Sequence, residues 1–232
     1  MEFRPARILD AMTFRELHPW DLAPAEARKL QEELAGRVEL RDRFGPVHRI
    51  AGVDIGFEDD GRTTRAAVAV LDAKTLELVE HAIARQPTRF PYIPGLLSFR
   101  EIPAALAALD RLARPPDLLL CDGQGYAHPR RFGLACHLGL LTDLPSLGVA
   151  KSRFIGQHEE TPTKKGDWSP LLDDGEVIGA VLCTRDGVKP VYVSTGHRVS
   201  LGQAITFTLG ACTRFRLPET TRWADRLSRR DL

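Results

Sequence analysis

The sequence predicts an α/β fold in which a mixed sheet carries helices on both faces. Three β-rich runs follow one another between residues 48 and 86, separated by turn-like or polar residues. "DLLLCDG" then offers a short strand with an unbroken apolar centre, the kind covered on both sides. Helical and strand-like segments alternate after it, which completes the pattern. At 232 residues the chain can enclose one core, so one domain over residues 1–232, led by an N-terminal helix, is expected.

That leading helix is read in "APAEARKLQEELAGRVEL", residues 23–40, where good helix formers place apolar residues along one face. "HRIAGVDIGFED", "RAAVAVLDA" and "LELVEHAIARQ" follow as an antiparallel meander, with Asp54 inside the first. In "SFREIPAALAALDRLA", Ile102, Ala105, Leu106, Leu109 and Leu112 recur at helical spacing, and Pro103 is tolerable only near the helix start. Asp122 closes the next strand, a helix fits residues 130–142, and "PSLGVAK" gives a strand ending on Lys151. Residues 157–174 are polar and punctuated by Pro and Gly, so they read as a surface loop. "VIGAVLC", "PVYVSTG" and a helix near Gln203 to Cys212 complete the series.

Composition places the chain among soluble globular proteins, with 43% hydrophobic and 27% charged residues. The net charge of +1 conceals basic groups at Arg130 and Arg131, at Lys164 and Lys165, and around Arg226, Arg229 and Arg230. Such groups meet phosphates or simply stay solvated. Cys121, Cys136, Cys183 and Cys212 form no CxxC pair and follow no secretory segment, so free thiols in a reducing cytoplasm are expected. No apolar run reaches the ~20 residues of a membrane span. The absence of G-x-S-x-G and HExxH weighs against serine hydrolases and zinc proteases.

Asp54 in "AGVDIGF" and Asp122 end or interrupt apolar strands, and on neighbouring strands their carboxylates would project near one point. Buried carboxylates need a partner, and hard oxygen donors suit Mg²⁺ or Mn²⁺ better than zinc. An arginine or a loop amide would serve equally for either acid alone. Glu101 has two readings: with Ser98 three residues before it, it fits a capping box, and beside the apolar stripe it can turn toward the sheet.

"FPYIPGLLSF" sets Tyr92 and Ile93 between two prolines, stiff enough for a wedge between bases or for plain packing under a loop. Gly95 permits a close approach or a turn. Gly123 and Gly125 offer bare backbone amides, but His128 replaces the third glycine of a dinucleotide fingerprint. His128 and Lys151 suit a phosphate, or an ordinary loop and surface role.

Together "AGVDIGF", "RFPYIPGLLSFRE", "DGQGYAHPRRFGLACHLG", "GVAKSRF", "STGHRVS" and "PETTRWAD" resemble the endonuclease V family of deoxyinosine repair nucleases, in the family's order from Ile50 to Asp225. The resemblance implies a ribonuclease H-like mixed sheet flanked by helices. It implies that Asp54 and Asp122 bind metal and that Glu101 completes the site. Asp225 matches a position where some members carry His. It further implies that Tyr92 and Ile93 belong to a strand-separating wedge, that Gly95, Leu97, Gly123 and Ala150 line a base pocket, and that His128 and Lys151 lie near the scissile phosphate. Gln124 departs from the His or Asn expected in D-G-x-G, and His197 falls in a family motif without an assigned task.

The activity so implied is a Mg²⁺-dependent cut, with Mn²⁺ able to substitute. It falls at the second phosphodiester 3′ to a deaminated base, leaving 3′-hydroxyl and 5′-phosphate ends. DNA containing deoxyinosine is the expected partner, with inosine RNA as a rival substrate. A monomer in the cytoplasm is expected, without a membrane partner. A reader module that binds without cutting, and a phosphatase of small esters, are the remaining alternatives. The acids argue against the first, and the unused wedge argues against the second.

Overall fold

The computed structural model describes residues 12–229, so Arg230 lies outside it. The expected meander forms from β1 (Arg49–Glu58), β2 (Thr63–Asp72) and β3 (Leu78–Pro87), paired antiparallel in sequence order. β4 (Leu118–Cys121) then lies parallel to β1, and β5 (Ser146–Ala150) parallel to β4. β6 (Trp168–Asp173), β7 (Glu176–Leu182) and β8 (Val191–His197) extend the sheet in the order β3-β2-β1-β4-β5-β8-β7-β6.

Period-two alternation explains why these runs are apolar throughout. Ala66, Val68 and Val70 of β2 pack on one face beneath α2 (Leu97–Leu109) and α3 (Leu134–Thr142), while Ala67, Ala69 and Leu71 pack on the other beneath α4 (Leu201–Gly210) and α5 (Glu219–Arg229). Both faces are covered, so neither needs polar residues. Burying each aliphatic side chain of this kind contributes roughly 1.5–3 kcal/mol. α1 (Pro24–Ala35) lies to one side, with Ala27 against Phe90, Leu96 and Phe99, and Leu34 against Phe132 and Leu140.

Several expectations need correction. α1 ends at Ala35 instead of residue 40, and α3 starts at Leu134 because residues 130–133 form the turn before it. Residues 157–174 are not all loop, since 168–173 form β6 on the sheet edge, where Pro170 needs no second partner for a missing N–H. Pro103 sits in the second turn of α2, so the Phe99 carbonyl receives no amide from it. Ser98 does not cap α2: the helix begins one residue earlier, and Leu96 occupies the cap position.

α5, which the sequence reading did not assign, seats directly on β1. A side chain at Gly52 would meet the Thr220 carbonyl at 2.1 Å, so only glycine admits this helix. The four cysteines are free and buried, and no described helix is long and apolar enough to cross a membrane.

Candidate active site

Strand register brings Asp54 and Asp122 together. β4 ends with Cys121 opposite Val53 of β1, and the Asp122 amide donates to the Val53 carbonyl at 3.1 Å. Asp54, midway along β1, and Asp122, just past the end of β4, therefore lie at the same level of two parallel strands. α2 sets Glu101 beside them, and α5 sets Asp225 and Ser228 beside Asp54.

The charges here are poorly balanced. Burial, with repulsion from Asp122 and Asp225 added, pushes the Asp54 carboxyl up to about 6, opposed by a hydrogen bond from Ser228 Oγ to its Oδ2 at 2.5 Å and by the Lys151 charge. Burial, then the charges of Asp54 and Asp122, push Glu101 up to about 8. Lys151 Nζ takes the Asp122 Oδ2 at 2.5 Å, and Arg229 takes the Asp225 Oδ1 at 2.8 Å.

Among the described residues no three His, Cys, Asp or Glu side chains form a ready metal cage. The chemistry of the donors nevertheless fits a hard divalent cation. They are carboxylate oxygens, buried and crowded enough that Glu101 keeps its proton near neutral pH and Asp54 is raised to about 6, and they are met chiefly by a serine hydroxyl on Asp54 and one lysine on Asp122. A cation would relieve the same repulsion.

Beside the acids opens a cavity of about 400 Å³, lined by Tyr92, Gly95, Leu97, Glu101, Asp122, Gly123, His128, Ala150 and Lys151, among others. It gathers most of the residues expected to bind the substrate. Tyr92 stands 67% exposed at its mouth. Ile93 does not line the cavity; it packs down against Phe90, Leu96 and Phe99 and so anchors the proline-flanked turn. Gly95 has φ +81°, and a side chain there would meet Arg130 Nη2 at 2.8 Å.

His128 and the two arginines, for which the sequence leaves phosphate contact or a plain loop role open, all have partners within the protein. His128 is buried, accepts from the Arg130 amide through Nδ1 at 3.2 Å and donates from Nε2 to the Gly95 carbonyl at 3.1 Å. Burial, then the Arg130 charge, depress its imidazole to about 4, so it is neutral. Arg130 donates to Gly95 O at 2.8 Å and to Gln31 Oε1 at 2.6 Å, and Arg131 pairs with Asp173 and Glu176. His128 forms part of the cavity wall, and Arg130 braces it through the Gly95 carbonyl.

Gln124 Nε2 donates to the Ser152 carbonyl at 3.0 Å and ties the Asp122 loop to the segment after β5. His197 lies away from the cavity, buried, with Nδ1 accepting from the Glu39 amide at 3.2 Å. Gln31, Ser98 and Phe154 line the cavity, and Ser228 holds Asp54, yet none of the four was singled out from sequence as a site residue. Only helical phasing of α5 toward Asp54 could have found Ser228, and that helix itself went unread.

A family model described as Endonuclease V matches residues 32–226. The protein of Rippkaea orientalis named Endonuclease V is 58% identical over 203 residues, covering 88% of this chain and 89% of its own. The crystal structure of the endonuclease V from Streptomyces avermitilis superposes with a TM-score of 0.86 at 50% identity, covering 90% of this chain and 93% of that one. That of Ciona intestinalis endonuclease V, in complex with a 23mer DNA containing an inosine followed by a ribo-adenosine, gives 0.78 at 28% identity over 88% and 95%. The fold is a ribonuclease H-like mixed sheet flanked by helices, and these likenesses cover about nine-tenths of the chain.

Proposed function

Because the chain belongs to the endonuclease V family and is an endonuclease, hence a hydrolase, we propose that it is a DNA-repair enzyme for deaminated bases, chiefly deoxyinosine. It cuts the second phosphodiester 3′ to the lesion and leaves 3′-hydroxyl and 5′-phosphate ends. The observation that carries this reading is the adjacency of an under-neutralised acid cluster to a cavity with an exposed tyrosine at its mouth. A phosphatase of small esters has no use for that tyrosine.

Each side chain then has a task. Tyr92 fills the gap that the displaced base leaves in the stack, held there by Ile93 below. Gly95, Leu97, Gly123 and Ala150 present backbone to the flipped base. A deaminated base pairs poorly, which lowers the few kcal/mol needed to flip it. Asp54 and Asp122 would hold Mg²⁺, or Mn²⁺ in its place, with Asp225 adding a third acid from α5 and Ser228 steadying Asp54. Bound there, a divalent ion would supply Lewis-acid polarisation and a more acidic water. Glu101 orients the attacking water toward phosphorus. Lys151, released from Asp122, takes a phosphate oxygen, and His128 keeps the Gly95 turn in shape without carrying charge. The enzyme acts as a monomeric single domain in the cytoplasm.

The test is a labelled duplex with one deoxyinosine, incubated with Mg²⁺ beside an undamaged duplex, an inosine RNA and an Asp122→Ala control. A single nick one nucleotide beyond the lesion's own 3′ phosphate, absent from the undamaged duplex and the variant, is expected. Binding without a nick would replace the nuclease by a reader, and cutting of the RNA alone would move the substrate class.

A further inference from the structure

Ser98 is the second residue of α2, lines the cavity near Leu97 and Glu101, and is 3% exposed. Its Oγ lies 3.0 Å from Nδ1 of His137, which is wholly buried on α3. His137 Nε2 lies 2.7 Å from His18 Nε2, and His18 Nδ1 lies 2.8 Å from the Pro19 carbonyl. Four polar groups thus run in single file from the cavity wall toward the surface. Trp20, Phe99 and Phe132 pack their rings around the two imidazoles.

The far end of this file fixes the near end. A carbonyl oxygen only accepts, so His18 Nδ1 carries the hydrogen. Burial depresses both imidazoles, which keeps each neutral with a single N–H. His18 Nε2 is then an acceptor, His137 Nε2 carries the hydrogen between them, and His137 Nδ1 is left bare. The Ser98 hydroxyl donates to that nitrogen, and its oxygen has only lone pairs left to offer. An apolar trio of similar volume would fill the same space without the cost of burying polar groups. Packing alone therefore does not explain the file.

We propose that Ser98 Oγ is a fixed hydrogen-bond acceptor that reads the ring N–H created by deamination, with His137 and His18 as positioning residues that set its polarity. Deamination turns N1 of adenine from a lone pair into an N–H, and it does the same to N3 of cytosine. A locked acceptor welcomes each product and opposes each parent base. Guanine also carries an N1–H, so its rejection belongs to the space allowed for the 2-amino group. This inference rests on the deaminated-base reading above.

The experiment compares kcat/KM on deoxyinosine and deoxyadenosine strands for wild type, Ser98→Ala and the more surface-proximal His18→Phe, and records the ¹⁵N tautomers of the wild-type histidines. Ser98→Ala is expected to shed about tenfold or more of the inosine preference, because a site built around one hydrogen bond discriminates through it. His18→Phe should shift the ratio in the same direction, since His137 is then free to protonate Nδ1. A merely structural defect would lower both substrates together and leave the ratio intact. The spectra should show His18 protonated at Nδ1 and His137 at Nε2. Unchanged ratios in both variants, or a His137 protonated at Nδ1, would overturn the proposal while leaving the nuclease reading in place. A wild type that cuts adenine and inosine strands equally would overturn both.

Discussion

Two aspartates flank the same four-residue strand, and the protein treats them in opposite ways. Asp117, just before β4, receives the backbone amides of His48 and Arg49 at 2.8 Å each, while the neighbouring Arg49 pairs with Glu80 at 2.6 Å. Asp122, just after β4, faces Asp54 and Glu101 and is met by a half-exposed lysine side chain. At one end acids are matched by fixed donors and contribute to stability. At the other, repulsion is left standing where a cation and a phosphate would arrive, and the strand's carboxyl end becomes the place for chemistry.

The contrast breaks most visibly in activity. Asp122→Ala is expected to lower kcat/KM on a deoxyinosine duplex by at least about a thousandfold, the scale on which one preorganised electrostatic group acts. Asp117→Ala should leave kcat/KM within about twofold under conditions where both proteins are folded, on the scale of a substitution outside the reacting groups. In urea melts the order reverses: Asp117→Ala loses about 1–3 kcal/mol, because two amides lose a charged acceptor.

Glu101 sharpens the comparison through pH. Its carboxyl rises from the ordinary 4.5 to about 8 in the metal-free fold, so the unfolded chain gives up this proton first. The associated stability is complete below about pH 4.5 and is lost as pH climbs through about 8. Metal-free Glu101→Gln should therefore melt close to wild type at pH 5 and above it at pH 9, while its nuclease activity collapses. Equal melting temperatures at both pH values would show Glu101 to be well compensated. A smaller effect is expected of Lys151→Met. Removing the cation that competes for Asp122 should tighten Mn²⁺ binding by about fivefold or less, since a half-exposed ion pair is weak, while cutting slows.

Much of this was legible in the chain. Apolar runs marked β1 and β4, with an acid inside the first and at the end of the second; that the two strands are neighbours, which the convergence of Asp54 and Asp122 requires, comes from the sheet order. β6 was not legible. Trp168 is 48% exposed, Pro170 interrupts the run, and an edge strand shows only one partner, so its composition is that of a loop. α5 was hidden for the opposite reason: its many charged residues read as a basic tail, and its apolar face of Ala224 and Leu227 is narrow. Arg130 and Arg131 look identical to phosphate-binding arginines in sequence; their inward partners Gln31, Asp173 and Glu176 lie more than 40 positions away. Ser98 matched a capping box by spacing, and only the start of α2 at Leu97 and the buried His137 redirect it.

The most direct measurement is calorimetric titration of Mn²⁺ into wild type, Asp54→Asn, Asp122→Asn and Asp117→Asn. The account predicts binding in wild type and Asp117→Asn, and its loss in Asp54→Asn and Asp122→Asn. Undiminished binding to Asp122→Asn, or an equal loss in Asp117→Asn, would contradict the division of labour between the two ends of β4.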